Sequence, residues 1–302
     1  MPAIALVPCS AMRAYDGMIG GMSESTSGSR APAEPAAEAE APHATPFPSA
    51  GVLTPRLLAG EILCVLALSL GAAAVSAAIS FVGALTAPEP LAEQTASLVG
   101  PQAAQQRPWL DLTRQISSLV FAMAPVALVL YLLYRSRESA RTIGFDLTRP
   151  SRDLGMGAAL AALVGLSGLV VYLVSWQLGL AVTVAPSALN ESWWRLPVLV
   201  LQAVKNGVLE EVIFGYLLLR LGQLGWSPVR STAAVALLRA FYHLYQGLGM
   251  FVGNLAMGLV FGWLYHRHGR VMPLVAAHSI IDIVAFVGSA YLIGRVGWLP
   301  GG

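Results

Sequence analysis

Runs of about twenty apolar residues recur along this chain after its first fifty or so positions. A helix that rises 1.5 Å per residue needs about that length to cross a hydrocarbon core of roughly 30 Å. The pattern predicts spans at residues 61–85, 114–134, 154–176, 196–219, 229–247, 250–266 and 271–294. We therefore expect an all-α fold, a polytopic membrane helical bundle of about seven transmembrane helices.

The beginning of the chain has a different pattern. Residues 1–55 lack apolar periodicity and are rich in Pro, Ala, Glu and Ser, a composition typical of segments that cannot bury a core. They also lack the basic start and the apolar run of a signal peptide. We predict a disordered N-terminal tail in 1–55, N-terminal transmembrane helices in 56–194 and a second set of transmembrane helices in 195–294.

Composition and charge agree with a membrane protein. Of the 302 residues, 56% are hydrophobic and 11% are charged, which is more apolar and less charged than soluble proteins usually are. The net charge of +2 is too small to indicate nucleic-acid binding. The two cysteines offer neither a disulfide framework nor a CxxC metal pattern. The partner that these observations predict is the lipid bilayer, and they argue against nucleic acid.

Basic residues set the expected orientation. The connection after the second apolar run carries Arg135, Arg137, Arg141, Arg149 and Arg152. The positive-inside rule places this connection in the cytoplasm, and alternation then places the N-terminus there as well. The same alternation puts further arginines on the cytoplasmic side, namely Arg56, Arg220, Arg230, Arg267 and Arg270. Because the Ala-rich and Arg-rich composition is typical of a GC-rich bacterial genome, we predict a multi-pass protein of the bacterial inner membrane, which is its plasma membrane.

Ionisable residues interrupt three of the later apolar runs. They are Glu210, Glu211, Arg239, His243, His278 and Asp282. A charge in the bilayer core costs roughly 2.5–3.5 kcal/mol on insertion scales, so such groups usually face a bundle interior or a polar cavity. Counting 1.5 Å per residue from the arginines at the predicted cytoplasmic ends places the patches about 12–20 Å deep. We therefore predict that all six converge on one buried polar site.

The spacing of four residues recurs within this set. Residues four apart share one face of a helix, so Arg239 and His243 form one pair and His278 and Asp282 form another. The second pair suits either two metal ligands or a carboxylate that orients an imidazole. Both uses require a hydrophilic pocket inside the bundle.

The adjacent glutamates Glu210 and Glu211 have a different relation. Their side chains point about 100° apart around a helix, so they cannot both point at one reacting atom. We expect one of them to be catalytic and the other structural. Glu210 is the candidate general base, which would activate a water molecule.

Three segments together carry a resemblance to a known family. The segments Glu210–Gly215, Arg239–His243 and His278–Asp282 resemble, in order and spacing, the EExxxR, FxxxH and HxxxN/D motifs of the CPBP or ABI family. This family of intramembrane proteases includes the eukaryotic type II CAAX prenyl endopeptidase. The resemblance covers roughly residues 195–290. Each motif alone is a weak signal, whereas three motifs on successive apolar helices are a strong one.

Two positions depart from the family pattern. Gly215 stands where the first motif has Arg, and Arg239 stands where the second has Phe. If the two helices pack side by side, the missing side chain at Gly215 makes room for the Arg239 guanidinium. That guanidinium would then restore a cation beside Glu211. We therefore expect an ion pair between Arg239 and Glu211.

The resemblance also implies a fold and an activity. It implies helices in 195–294 around a site that opens to the cytoplasmic side, with Glu210 as the general base and His243 holding the developing oxyanion. His278 and Asp282 would complete the polar pocket. The implied function is that of a CAAX-type intramembrane endopeptidase, which hydrolyses peptide bonds of a membrane-associated peptide or protein.

Two mechanisms remain open for such a peptidase. In a metalloprotease, Zn²⁺ would be held by His243, His278 and one carboxylate, for which Glu210 is the candidate. That set is near the three-ligand arrangement of catalytic zinc, although the usual HExxH helix is missing from the sequence. In the other mechanism, the water activated by Glu210 acts without any metal.

A second class of function also remains open. The changed motif positions suit a catalytically inactive membrane protein of the same fold, acting in bacteriocin-type immunity or partner binding. A transporter is a third option, but the sequence has no sign of the inverted repeats that would favour it. The peptidase and the binding protein differ in whether Glu210 is required for function while being dispensable for folding.

Overall fold

The computed structural model of the chain describes residues 53–97, 99–100, 103, 106–185, 189 and 192–300. Helices make up most of these residues, which confirms the expected all-α class. The predicted disordered tail lies outside the described residues, apart from its last positions, 53–55. The boundaries predicted between the tail, the N-terminal helices and the later helices stay predictions.

The helices follow one another as α1 (Pro55–Ala67), α2 (Leu70–Leu85), α3 (Pro108–Ala122), α4 (Ala124–Arg135), α5 (Pro150–Gln177), α6 (Arg195–Gln223), α7 (Pro228–Tyr242), α8 (Leu248–His268) and α9 (Met272–Leu292). Short 3₁₀ helices lie at Leu91–Glu93, Ala140–Ile143 and Leu244–Gln246. Two short strands, β1 (Thr95–Ser97) and β2 (Thr183–Ala185), form a parallel pair. In their register, Thr95 lies opposite Thr183.

Local sequence explains several helix ends. Helices α1, α3, α5 and α7 begin with proline, whose missing N–H has no partner in the first turn of a helix anyway. The hydroxyl oxygen of Ser227 caps α7 by accepting a hydrogen bond from the Arg230 backbone N–H. Gly269 ends α8 in the left-handed conformation, at a φ of 65°, which glycine adopts without a steric penalty. The local sequence therefore accounts for the end of α8 and the turn into α9.

Four segments among the described residues are long and apolar enough to cross a membrane. They are α3 together with α4, then α5, α8 and α9. A fifth span results if α1 and α2, which are bent by 48° at their junction, count as one. The expected number of about seven spans is therefore not confirmed, although the chain has the character of a multi-pass membrane protein.

The two other predicted spans, α6 and α7, differ from these helices for physical reasons. Every stretch of 18 residues in α6 contains Glu210 and Glu211 together with Lys205 or Arg220. Such a load of charge is costly against lipid. Helix α7 has 15 residues and ends at Tyr242, so the prediction of a helix over 229–247 was too long. Both helices owe their positions to contacts with other helices.

Helix α6 lies at the centre of the bundle. It packs most extensively against α9, and it also contacts α7, α4 and α3. Helix α9 packs in turn against α5, and α7 packs against α8 and α2. The buried apolar side chains of α6 from Val212 to Leu221 belong to one core cluster with residues of α4, α5, α7, α8 and α9. Nearer its start, Val198, Leu199 and Ala203 belong to a second cluster with Phe286 of α9. The three helices that carry the predicted site therefore share one core.

Two glycines allow these helices to approach closely. A Cβ atom added at Gly207 of α6 would lie 2.9 Å from the backbone nitrogen of Ser279 in α9. A Cβ atom at Gly258 of α8 would lie 2.7 Å from the Cα atom of Ala236 in α7. Real Cβ atoms do not approach other atoms so closely, so the present packing requires glycine at both positions.

The two ends of the bundle differ in character. We call one the arginine end, because it carries Arg220, Arg230, Arg267 and Arg270. We call the other the strand end, because it carries β1, β2 and the 3₁₀ turn Leu244–Gln246. At the strand end, the N–H of Val182 donates to the carbonyl oxygen of Gln246 at 3.2 Å. This bond joins the segment before α6 to the segment after α7.

Candidate active site

The structure brings the six predicted site residues together. Helix α6 supplies Glu210 and Glu211, and α9 supplies His278 and Asp282. Helix α7 supplies Arg239 in its last turn, and His243 is the residue that caps its C-terminus. The side chains of Glu211, Arg239 and His278 are buried. Close packing of α6 against α7 and α9 therefore produces one polar cluster inside the bundle.

Glu211 is the centre of the buried part of this cluster. Its Oε1 atom accepts hydrogen bonds from Nη2 of Arg239 and from Nδ1 of His278, the second at 2.7 Å. Because Glu211 is paired with the Arg239 guanidinium and acts as the acceptor, we assign Nδ1 of His278 as the donor of its bond, which leaves Nε2 facing the rest of the site. Glu211 thus fixes the orientation of both Arg239 and His278.

Glu210 lies on the more accessible side of the cluster. Its Oε2 atom accepts a hydrogen bond from the Tyr242 hydroxyl at 2.6 Å. The same oxygen lies 3.9 Å from Nε2 of His278 and 4.0 Å from Nε2 of His243. These separations exceed a hydrogen bond, so neither imidazole binds the carboxylate directly. Glu210 therefore faces two imidazole nitrogens and keeps one hydroxyl donor.

Asp282 completes the cluster on α9. Its Oδ1 atom lies 3.7 Å from Nε2 of His278, and its Oδ2 atom accepts a hydrogen bond from Nδ2 of Asn206 at 2.9 Å. The charge of Lys205 also acts on Asp282 and on Glu210. The carboxylate of Asp282 is thereby tied to α6 on one side and directed at His278 on the other.

Sequence reasoning missed two members of this cluster, Asn206 and Tyr242. Asn206 precedes Glu210 by four residues, so the spacing that singled out the other pairs would have placed it on the same face of α6. Tyr242 has no such signal. Its bond to Glu210 depends on how α7 packs against α6, which the spacing of residues within one helix does not contain.

Arg239 forms the expected ion pair with Glu211. Its guanidinium carbon lies 5.2 Å from the ring centre of Phe214 and 5.3 Å from that of Phe261, so the charge also rests on two aromatic faces. Its Nε and Nη1 atoms have no hydrogen-bond partner among the described residues. The cation that the family pattern places on α6 is thus supplied to Glu211 from α7.

The predicted reason for this ion pair was wrong. A Cβ atom at Gly215 would meet Val271, Tyr265 and Ile143, not Arg239. Gly215 faces the connection between α8 and α9 and the 3₁₀ helix Ala140–Ile143, because α6 turns that side away from α7. The absence of a side chain at Gly215 therefore serves packing at the arginine end, and Arg239 reaches Glu211 independently of it.

The accessible parts of the site lie toward the strand end. Next to the cluster on the arginine side, Phe214, Tyr216 and Leu217 are at most 2% exposed. On the strand side, Lys205 and Asn206 are partly exposed and Tyr245 is 38% exposed. The resemblance implied an opening at the predicted cytoplasmic side, which is the arginine end. The structure differs, because large apolar side chains of α6 close that side.

The distances within the site can be compared with those that a zinc ion requires of its ligands. Among the described residues, no group of three His, Cys, Asp or Glu side chains is placed to hold a metal ion. Two ligands of a tetrahedral zinc ion lie roughly 3.4 Å apart, whereas Oε2 of Glu210 is 4.0 Å from His243 and 3.9 Å from His278. The same oxygen is engaged by Tyr242. As placed, these three residues do not fit the zinc arrangement.

Comparison with known protein families gives one match. Residues 192–284 match the family model described as type II CAAX prenyl endopeptidase Rce1-like. No curated protein and no solved structure matches the chain. The matched segment runs from just before α6 into α9 and contains all six site residues. The resemblance drawn from the three motifs is thus confirmed for this part of the chain, and residues 192–284 are an Rce1-like domain.

Proposed function

We propose that this multi-pass membrane protein is an intramembrane endopeptidase of the CAAX protease type. Its substrate is a membrane-associated protein, and it acts in a bacterial plasma membrane with its N-terminus in the cytoplasm. One observation carries the proposal, namely that Glu210 faces the Nε2 atoms of His243 and His278 at 4.0 and 3.9 Å inside an Rce1-like domain. Buried carboxylate and imidazole groups in such an array are the usual parts of a hydrolytic site.

The chemistry assigned to these groups is the hydrolysis of a peptide bond by water. Glu210 takes a proton from the water as its oxygen attacks the carbonyl carbon. The Nε2–H group of His243 donates to the oxyanion that forms on the carbonyl oxygen. The carbon–nitrogen bond then breaks, and Glu210 returns the proton to the departing amine. Each step uses a side chain that reaches the same side of the cluster.

Two further groups act by positioning. Glu211, neutralised by Arg239, holds His278 through the bond to Nδ1. Asp282 lies 3.7 Å from the other nitrogen of that imidazole. The imidazole ring of His278 is thereby fixed between two carboxylates, with its Nε2 atom directed toward Glu210.

The test is the cleavage of membrane-anchored reporter proteins and fluorogenic peptides by the purified protein, with Glu210→Gln as the variant. The amide cannot accept the proton, so we expect turnover to fall by about 10²–10⁴-fold while the unfolding midpoint stays the same. Glu89→Gln, at an exposed glutamate, is the matched control and should keep full turnover. Each protein is also assayed with a zinc chelator. Loss of turnover on chelation and its return with added Zn²⁺ would show that the metal-free mechanism is wrong.

The inactive alternative rests on a specific observation as well. Gly215 is packed against Val271 and Tyr265, so this chain has no room for the arginine that the family pattern places there. A protein that keeps the cluster only for its fold would be equally inert with Glu210 or Gln at that position, although well folded in both cases. That result would favour the role in immunity or partner binding over the peptidase.

A further inference from the structure

A cavity of about 390 Å³ adjoins the candidate active site toward the strand end. The residues of α2 that line it are alanines and serines only, among them Ala77 and Ser80. The facing wall consists of Gln94, Thr95 and Ala96 with Val182 and the two tyrosines, Tyr242 and Tyr245. The cavity therefore lies between a helix surface without large side chains and the edge of strand β1.

Strand β1 has one edge that no other described strand covers, because the sheet consists of β1 and β2 alone among the described residues. The carbonyl oxygen of Gln94 accepts from the N–H of Thr183 in β2 at 2.9 Å. Backbone groups of successive residues in a strand point in opposite directions. The N–H and C=O of Thr95 therefore point away from β2, on the side without a strand partner.

An unpaired strand edge is a template for another extended chain. Proteins that bind peptides by strand addition gain affinity from main-chain hydrogen bonds and specificity from pockets for alternate side chains. Here the edge of β1 is part of the cavity wall, and the small residues of α2 leave room opposite it. The chemistry of this cavity thus fits a polypeptide in extended conformation.

Tyr242 links the cavity to the candidate active site. It forms part of the cavity wall, and its hydroxyl donates to Oε2 of Glu210 at 2.6 Å. A peptide that lay along β1 would therefore pass next to the residue that holds the proposed general base. Tyr245, which is 38% exposed, lies at the same wall.

We propose that this cavity is the substrate groove, in which an extended segment of the substrate adds as a strand to the edge of β1 and leads its scissile bond past Tyr242 to Glu210. The inference rests on the proposed peptidase function and deepens it. The substrate segment must be extended over several residues. The backbone groups of a helix are already hydrogen-bonded within it and cannot pair with β1. The side chains that face α2 occupy the space that its alanines and serines leave.

The test uses photo-cross-linking in the Glu210→Gln background, so that binding is measured without cleavage. The probe is a mixture of ten-residue peptides of random sequence, each with an N-terminal palmitoyl chain and one benzophenone group. We expect cross-links at residues 73–84 and 94–96. Ser80→Trp, which fills the cavity from an exposed position, should reduce them at least about tenfold. Ala72→Trp, at an exposed position of α2 outside the cavity wall, should leave them within about twofold.

A second probe tests strand addition itself. The same mixture with alternate backbone amides N-methylated loses the donors that a strand edge requires, so its cross-linking should fall at least about tenfold. Cross-links elsewhere, an absence of cross-links, or equal capture of both mixtures would overturn the inference. The last result would indicate that the cavity takes the acyl chain.

The two proposals fail in different ways. Cleavage that depends on Glu210 but is unchanged by Ser80→Trp would contradict the groove and leave the peptidase standing. Cross-links in the groove that are lost with Ser80→Trp, in a protein that cleaves no reporter, would contradict the peptidase and support strand addition. Either conclusion requires that Ser80→Trp and Ala72→Trp have the same unfolding curve. We expect this because both positions are exposed.

Discussion

Two arginines of the protein, Arg220 and Arg239, are at most 1% exposed, and their surroundings differ. Two nitrogens of the Arg220 guanidinium, Nη1 and Nη2, form hydrogen bonds with oxygens of Ser136, Glu138 and Gln223. Its Nε atom lies 3.2 Å from Oε2 of Glu61, an ion-pair contact without a hydrogen bond. We call these five residues the Arg220 network. Arg239 has one such bond, to Glu211, and its other two nitrogens have no hydrogen-bond partner among the described residues.

The difference separates a structural cluster from a candidate catalytic one. Buried polar groups are nearly always hydrogen-bonded, and exceptions concentrate at functional sites. Around Arg239, Oε2 of Glu211 and Nδ1 of His243 are also buried without a hydrogen-bond partner among the described residues. Burial of charge alone therefore does not identify an active site. Within the described part of the chain, the cluster around Arg239 has more buried polar atoms without a hydrogen-bond partner than the Arg220 network, in which Nε of Arg220 is such an atom. The Arg239 cluster is therefore the better candidate for binding a further partner.

The largest effect on stability should come from the Arg220 network. Arg220→Met removes a fully buried guanidinium that pairs with Glu61 and Glu138. Arg135 remains as the other cation that bonds Glu61. Because several buried polar groups lose a partner at once, we expect a loss of about 3 kcal/mol in the free energy of unfolding. Denaturant titration in detergent measures it. Arg152→Met, at an exposed position, is the control and should change stability by less than about 0.5 kcal/mol. Turnover per folded molecule should stay the same, and a selective loss of turnover would break the distinction between the two clusters.

The Arg239–Glu211 pair sharpens the comparison through a double-mutant cycle. Arg239→Met and Glu211→Gln each remove one partner of a buried pair, so each should be destabilising, and the double variant should cost less than the sum. We expect a coupling energy of at least about 1 kcal/mol. Unlike Arg220→Met, both single variants should also reduce turnover per folded molecule, because His278 loses its fixed orientation. Additive losses of stability would show that the ion pair is not a unit.

A substitution at Gly215 tests the packing of α6 between Glu211, in the Arg239 cluster, and Arg220, in the Arg220 network. Gly215→Ala puts a Cβ atom against the Val271 side chain, and overpacking of this kind costs about 1–3 kcal/mol. Gly60→Ala in α1 has nothing within 4 Å of the new atom and should instead stabilise by about 0.5–1 kcal/mol through helix propensity. Unfolding midpoints compare the two. If Gly215→Ala is neutral, the space beside it is open after all.

The smallest effect belongs to an ion pair outside the bundle core. Arg270 bonds Asp146 and Asp153, and its hydrogen bond holds the pKa of Asp146 below the usual value of 3.8. A lowered pKa contributes stability above the ordinary value and loses it as the pH falls through the lowered one. Asp146→Asn should therefore differ slightly from the wild type at about pH 6, and the difference should shrink progressively as the pH falls below 3.8. A difference that grows toward acid pH would contradict this.

The polar face that each site helix offers could be predicted from the sequence, because helical periodicity is local. The spacing of four residues between His278 and Asp282 places both on one face of α9, whatever α9 packs against. The motif departure at Arg239 also pointed to its pairing with Glu211, which the structure contains. What each helix presents could be read from the sequence.

The rest depends on contacts between distant segments. Helix α7 ends at Tyr242 and is followed by a short 3₁₀ turn. After that turn, Gly247, at a φ of 104°, packs against the backbone of Leu180. No local sequence signal marks this close approach. Arg220 was expected at the cytoplasmic surface because it lies near a helix end. Its burial depends on Glu61 and Glu138, which come from α1 and from the connection after α4. The identity of such partners is set by tertiary packing.

The Arg220 network also crosses a boundary in the chain. Arg220 and Gln223 lie within residues 192–284, the Rce1-like domain, while Glu61, Ser136 and Glu138 lie outside it. A fragment cut at the limits of that domain would lose Glu61 and Glu138 as partners of Arg220 and would expose the apolar surface of α6 that α1 and α4 cover. The segment 192–284 is therefore not a portable module. Any transplant of the candidate active site into another scaffold must carry α1 and the end of α4 with it.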